Sequence, residues 1–160
     1  MAALIRRARE GDEGKVAEFA LRLFDQHVDY DPERFSTFAN LDGAARFYKS
    51  RFDTPDSAVF VAEIENEIVG FAYIERDPLN YAELLEHGAW LHDIYVNERA
   101  RAQGIGQALI KAAAEAAKGM GAQKLLLSVA AKNAAAQQVF EKSGFRRTMV
   151  EMTLNLRDIL

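Results

Sequence analysis

One histidine and one arginine-glycine turn carry most of the chemistry open to this sequence. His92 stands in the run AWLHDIYV (89–96), whose β-branched and aromatic residues predict a strand. Side chains alternate sides along a strand, so His92 is expected to share a face with Trp90 and Ile94, and Asp93 to point the other way as a structural partner. An imidazole, with an ordinary pKa of about 6.5, can take up a proton at neutral pH. Beyond Val96 comes Arg101-Ala102-Gln103-Gly104-Ile105-Gly106-Gln107, which runs directly into an alanine-rich amphipathic segment. A helix that starts after such a turn exposes several unpaired backbone N–H groups and about half a positive charge. Gly104 and Gly106 permit close approach, and Arg101 adds a cation that can bind bidentately on the same rim. The turn is suited to a phosphate, beside a strand that carries a proton acceptor.

Two nucleotide-binding motifs fail to fit it. A P-loop places a Lys-Ser/Thr pair after its last glycine, where this chain has Gln107-Ala108. A dinucleotide fingerprint needs a third glycine where Leu109 stands, and a first glycine directly after the strand. A plain connector with glycines for geometry is the alternative at this level.

The elements that must position these residues form one domain spanning 1–160, with 49% hydrophobic residues to fill its core. There is no cysteine, which excludes disulfides, thiolate metal sites and a cysteine-borne acyl intermediate, and no metal is expected. A net charge of −4 speaks against a general nucleic-acid binder and mildly favours cationic small molecules. No apolar run suits a signal sequence or a membrane span, so a cytoplasmic protein without membrane contact is expected. Along the chain the patterns predict a strand at 3–8, a helix capped by Asp12, and a second helix over 41–51 capped by Asp42. A hairpin at 58–64 and 68–76 follows, then the strand 89–96, a helix over 105–118 and a buried strand at 124–130. A helix over 134–142 capped by Asn133 and closed by Gly144, and a last alternating strand at 146–156, complete the order. The expected fold class is α/β of the α+β type. Its mixed, mostly antiparallel sheet has six to seven strands with helices on both faces, in the order β-α-α-β-β-β-α-β-α-β.

The runs Val96 to Gly106 and Asn133-x-x-Ala136-x-x-x-Phe140-x-x-x-Gly144-Phe145 together resemble the GCN5-related N-acetyltransferase family. Its signature is a strand ending in Val, then Arg/Gln-x-x-Gly-x-Gly/Ala, then Asn-x-x-Ala-x-x-x-Tyr-x-x-x-Gly-Phe. The match covers about residues 58–156, and the first sixty residues agree only in element order. The resemblance implies acetyl-CoA as co-substrate. Its pyrophosphate would lie on Arg101, Ala102, Gln103, Gly104, Ile105, Gly106 and Gln107, and its pantetheine arm along Ile94, Tyr95 and Val96 like an added strand. Asn133 would reach toward the thiol and Phe140 would pack along the cofactor.

The family reaction is acetyl transfer to an amine by direct attack in a ternary complex; a non-catalytic acyl-CoA sensor of the same fold is the alternative. His92 matches the position of the base in the arylalkylamine N-acetyltransferases. Ser128 replaces the glutamate base of the ribosomal-protein type, and Phe140 replaces the tyrosine that protonates the thiolate. The thiolate would then leave unassisted, take a proton from water, or use Tyr73 or Tyr95. Acceptor candidates are Tyr30, Asp31, Tyr73 and Glu75, with Asp25 and His27 nearby in sequence, for a small-molecule or peptide amine. A homodimer through the last strand is compatible with Met149, Met152 and Leu156.

Overall fold

The computed structural model of the chain describes residues 2–159. A first strand β1 (Leu4–Arg7) leads into two helices, α1 (Glu13–Tyr30) and α2 (Leu41–Lys49). Three antiparallel strands follow, β2 (Ser57–Ile64), β3 (Glu67–Asn80) and β4 (Leu85–Val96). Then come α3 (Ile105–Gly119), β5 (Lys124–Leu126) and α4 (Ala134–Lys142). The sheet runs β1-β2-β3-β4-β5, antiparallel except for the parallel β4–β5 pair.

Period-two alternation in β2, β3 and β4 splits the core into two layers. Ala58, Phe60, Ala72, Ile74, Ala89 and Leu91 meet Ile105, Leu109, Ile110 and Ala113 of α3 on one side. Val59, Val61, Phe71 and Tyr73 meet Val16, Phe19 and Ala20 of α1 and Tyr48 of α2 on the other. The turn between β2 and β3 is Glu65-Asn66, both left-handed, the geometry of a tight two-residue hairpin.

The expected sheet of six to seven strands is reduced to five among the described residues. KLLLSVA is a strand only over 124–126, at the sheet edge: Leu125 and Leu127 are partly buried against the α3-side core, and the run is not covered on both faces. The segment 146–156 forms no strand. Its alternation favours extended backbone but supplies no neighbour, and its polar residues are drawn outward. Arg147 bonds Glu141 and Gln137 of α4, and Glu151 pairs with Arg34 beyond α1. Met149, Met152 and Leu156, the residues that the sequence offers to a second copy, are left exposed, with Val150 and Leu154 beside them. The cap of α2 is Asn40 rather than Asp42, its carboxamide oxygen accepting from the Gly43 amide at 2.8 Å.

Asp12 precedes α1 as expected but does not cap it with its side chain. Its carboxylate instead accepts from Arg6 at 2.8 and 3.2 Å and from the Arg9 amide at 2.8 Å. Arg6 also grips Glu63 of β2 at 3.0 and 3.2 Å, tying β1, β2 and the start of α1 together. Burial pushes Asp12 upward, but the Arg6 and Arg9 contacts outweigh it and hold the carboxyl below its ordinary range. The Arg6 hydrogen bond does the same for Glu63. Carboxyls lowered by folding give stability that is present above about pH 4 to 4.5 and is lost as pH falls through their folded values. Arg6→Met should therefore lower the melting temperature at pH 7 and flatten its fall between about pH 5 and 2; thermal scans across that range check it.

Candidate active site

The site is built where β4 loses both its neighbours' regularity. On one edge, Tyr73 pairs with Asp93 and Ile74 with Leu91, so His92 is an extra residue bulged out of the β3–β4 ladder. On the other edge, β4 pairs with β5 only at Gly88, Ala89 and Trp90. From Leu91 to Val96 that edge has no partner in β5, which ends at Leu126, and this unpaired stretch is the β4–β5 gap.

The bulge corrects the expected alternation. Ala89 and Leu91 face α3, as do Ile94 and Val96 beyond the bulge. His92 therefore does not share a face with Ile94. Trp90, His92, Asp93 and Tyr95 all lie on the α1–α2 side: His92 stacks on Tyr73 at 5.3 Å, Asp93 binds Tyr48 of α2, and Tyr95 packs on Phe19 at 5.3 Å. One extra residue thus brings two neighbouring titratable side chains to the same surface.

Around His92 lies a cleft of about 510 Å³ lined by Glu75, Arg76, Asp77, Asn80, Glu83, Trp90 and Ser128. Tyr73, His92 and Trp90 form a ladder of near-parallel rings, His92 and Trp90 at 6.4 Å. Asp77 accepts from Trp90 Nε1 at 3.0 Å and Asn80 Nδ2 at 2.8 Å, which fixes the indole edge. Arg76 is tied outward to Asp56 at 3.4 Å, so three carboxylates face the cleft with their one cationic neighbour already engaged. This is an environment for a cation, with ring faces and negative charge together. A second hollow of about 480 Å³, between the end of α3 and β5, is lined by Ala114, Ala117, Ala122, Gln123 and Leu125 with Lys118 and Lys124. It holds no group suited to accept a proton.

The turn before α3 keeps the donors that its sequence promised. Ala102 and Gly104 are left-handed, at φ +63° and +78°, within a tight run that starts with a short 3₁₀ turn at Glu98–Ala100. Alternating handedness of this kind turns successive N–H groups toward a common point. Among the described residues, no carbonyl or side chain accepts from the amides of residues 102–107, and the first backbone bond into Gly104 comes from Ala108. Arg101 differs from the expectation of a free bidentate cation. Its Nε donates to the Val96 carbonyl at 2.8 Å and its guanidinium lies over Tyr95 at 5.4 Å, so the side chain is held against the end of β4.

The other sequence candidates divide. Glu75 lines the cleft, and Tyr73 lies under His92 with its hydroxyl donating to Glu75. Burial, with that contact, pushes the Tyr73 phenol well above its ordinary value, which makes it a poor donor to a thiolate of ordinary pKa about 8.5. Tyr95 is 5% exposed against α1. Phe140 is not in the gap: it is buried against Phe145 in the α3-side core. Asn133 spends its side-chain oxygen as the cap of α4, accepting from the Ala136 amide at 3.1 Å. Tyr30 and Asp31 end α1, where Asp31 accepts from the Arg34 amide and Tyr30 meets His27 edge-on. Missed in the sequence were Asp77, Glu83 and Trp90. Pro78 marks a loop in sequence, but β3 continues through it to Asn80, and that extension carries Glu75 and Asp77 onto one face.

The Acetyltransferase (GNAT) family model matches residues 12–145. The sequence is 30% identical over 149 residues to the thialysine N-epsilon-acetyltransferase of Bos taurus, covering 88% of this chain and 82% of that one. It is 28% identical over 141 residues to the uncharacterized N-acetyltransferase YhfO of Bacillus subtilis (strain 168), covering 88% of each. In fold it is similar to the aminoglycoside N-acetyltransferase AAC(6')-Iy in complex with CoA, with a TM-score of 0.79 at 17% identity over 96% of this chain and 93% of that one.

Proposed function

The chain belongs to the acetyltransferase (GNAT) family, and on that premise we propose that it moves the acetyl group of acetyl-CoA to a primary amine of a cationic small molecule. The observation that carries this reading is the row of unpartnered amides at 102–107 at the mouth of the β4–β5 gap, with His92 beside that gap. Those amides and the dipole of α3 suit a diphosphate, and the free edge of β4 at Ile94, Tyr95 and Val96 suits an amide-bearing arm. The residues present therefore fit coenzyme A, whose acetylated form would supply the thioester.

The chain's own residues do the rest. Glu75, Asp77 and Glu83 attract the acceptor and the Trp90 face offers it a cation–π contact. His92 takes the proton that frees the amine's electron pair, a step typically worth about 10²- to 10⁴-fold. The backbone N–H groups set free by the bulge meet the oxyanion, a contribution of roughly 3–4 kcal/mol in comparable sites. With Phe140 buried and the Tyr73 hydroxyl given to Glu75, water protonates the thiolate. The acceptor class also draws on relatives: the names of two of them specify thialysine and aminoglycosides, both amines. Among the described residues no helix is long and apolar enough to cross a membrane, and no group of three metal-binding side chains occurs.

Thiol release from acetyl-CoA, followed across a panel of monoamines, diamines, amino acids and aminoglycosides, tests the reading. Amines with a second positive charge should show the highest kcat/KM, and their advantage should shrink as salt rises. Equal rates for neutral-tailed and cationic-tailed amines would reject the cationic acceptor; no thiol release with any amine would reject the enzyme.

A further inference from the structure

We infer that Asp93 is a second working group of the acceptor site, a carboxylate that takes hold of the acceptor's ammonium beside His92. The inference rests on the N-acetyltransferase reading above. Strict alternation would put Asp93 behind the sheet, with only a structural part to play. The bulge at His92 cancels that alternation and sends both side chains to the α1–α2 side.

The surroundings of Asp93 are those of a carboxylate missing a countercharge. Tyr48 of α2 donates to Oδ2 at 2.7 Å. Oδ1 receives no hydrogen bond from the described residues, and it is absent from the fully enclosed, unpartnered atoms, of which Arg51 Nε is one. One oxygen is thus held and the other is open. The groups that face Asp93 are His27 from α1, Tyr48 from α2, Tyr73 from β3 with Glu75 on its hydroxyl and Arg51 near it, and His92 from β4 itself. Two are histidines; no lysine or arginine pairs with the carboxylate. A carboxylate that served only to clamp α2 to the sheet would be expected to fill both oxygens, because a partly buried charge without a partner is costly. An acceptor ammonium supplies that partner. Burial also pushes the Asp93 carboxyl upward against the pull of Tyr48, His92 and His27, a cost to its charged form that a cationic partner offsets.

The proton balance is simple. The acceptor enters as R–NH₃⁺, with one N–H donating to Asp93 Oδ1. A second N–H bond breaks, its electron pair stays on the amine nitrogen, and the proton forms a new N–H bond on the His92 ring. The result is neutral R–NH₂ and an imidazolium that lies next to the Asp93 negative charge.

Asp93→Asn keeps the size of the side chain and an oxygen for Tyr48 but removes the charge. With the amine that the wild type turns over fastest, kcat/KM should fall by about 100-fold or more. Coenzyme A affinity should stay within about twofold, and the acid limb of the kcat/KM profile should move to lower pH, because the imidazolium has lost its negative neighbour. A variant within about threefold of wild type, with an unmoved profile, overturns the inference. Should Asp93→Asn fail to fold, wild-type protein carrying carbon-13-labelled aspartate gives the same decision. With coenzyme A present, adding that amine should lower the pH at which the Asp93 carboxyl titrates, and an unchanged titration overturns it. Failure of the wild type to turn over any amine is a different result, which overturns the N-acetyltransferase reading and this inference with it.

Discussion

Replacing Gly106 with tryptophan raises the dissociation constant for coenzyme A by about 100-fold or more, equivalent to about 2.7 kcal/mol, while the melting temperature stays within a few degrees of wild type. The contrast between the two effects comes from where this glycine sits. It is the second residue of α3, its φ is ordinary, and a Cβ built there meets no atom within 4 Å. The first atom of a side chain at 106 therefore meets no clash, and removing a helical glycine even favours the helix slightly. What the indole fills is the space in front of the 102–107 amides, which a diphosphate must enter. Gly104 gives a less clean answer, because at φ +78° any side chain is strained whatever the ligand does. Calorimetric titration with coenzyme A, together with thermal scans, checks both halves. Unimpaired binding in Gly106→Trp would mean that the anion lies elsewhere.

Substituting His92 by alanine lowers kcat by about 10²- to 10³-fold at pH 7 and leaves coenzyme A affinity nearly intact. His92 is exposed at the cleft and its ring lies over Tyr73 and Trp90 at the surface of the core, so its loss creates no buried cavity. Stability should hardly change. The loss should shrink as pH rises toward the acceptor's own pKa, where the free amine no longer needs a base; for an amine like lysine that is about 10.4. A pH–rate profile of wild type and variant reads this directly. Parallel profiles at all pH values would make His92 a structural residue and would leave Asp93 as the nearest other proton acceptor.

The parts of the site written in local chemistry are legible in the amino-acid sequence. Gly104, Gly106 and the alanine-rich run that follows specify a turn and a helix start within a few residues, and both occur where they are expected. Asn133 and Gly144 bracket α4 for the same reason: cap and left-handed stop are local events. What sequence could not carry was the pairing between distant strands. The bulge at His92 arises from the register of β4 against β3, about twenty residues earlier, and alternation counted along β4 alone puts Asp93 on the wrong side. Nor does the Tyr48–Asp93 bond leave a trace in either segment, since the partners are separated by 45 positions. The last alternating segment shows the converse: its pattern is that of a strand, yet a strand needs a neighbour, and the chain gives it none.

A crystal structure with coenzyme A bound puts the central claim to its most direct test. Diphosphate oxygens should lie within hydrogen-bonding distance of amides from residues 102–107, and the sulfur in the gap between β4 and β5 on the side of His92. A diphosphate bound away from those amides, or a thiol directed away from His92, would contradict it.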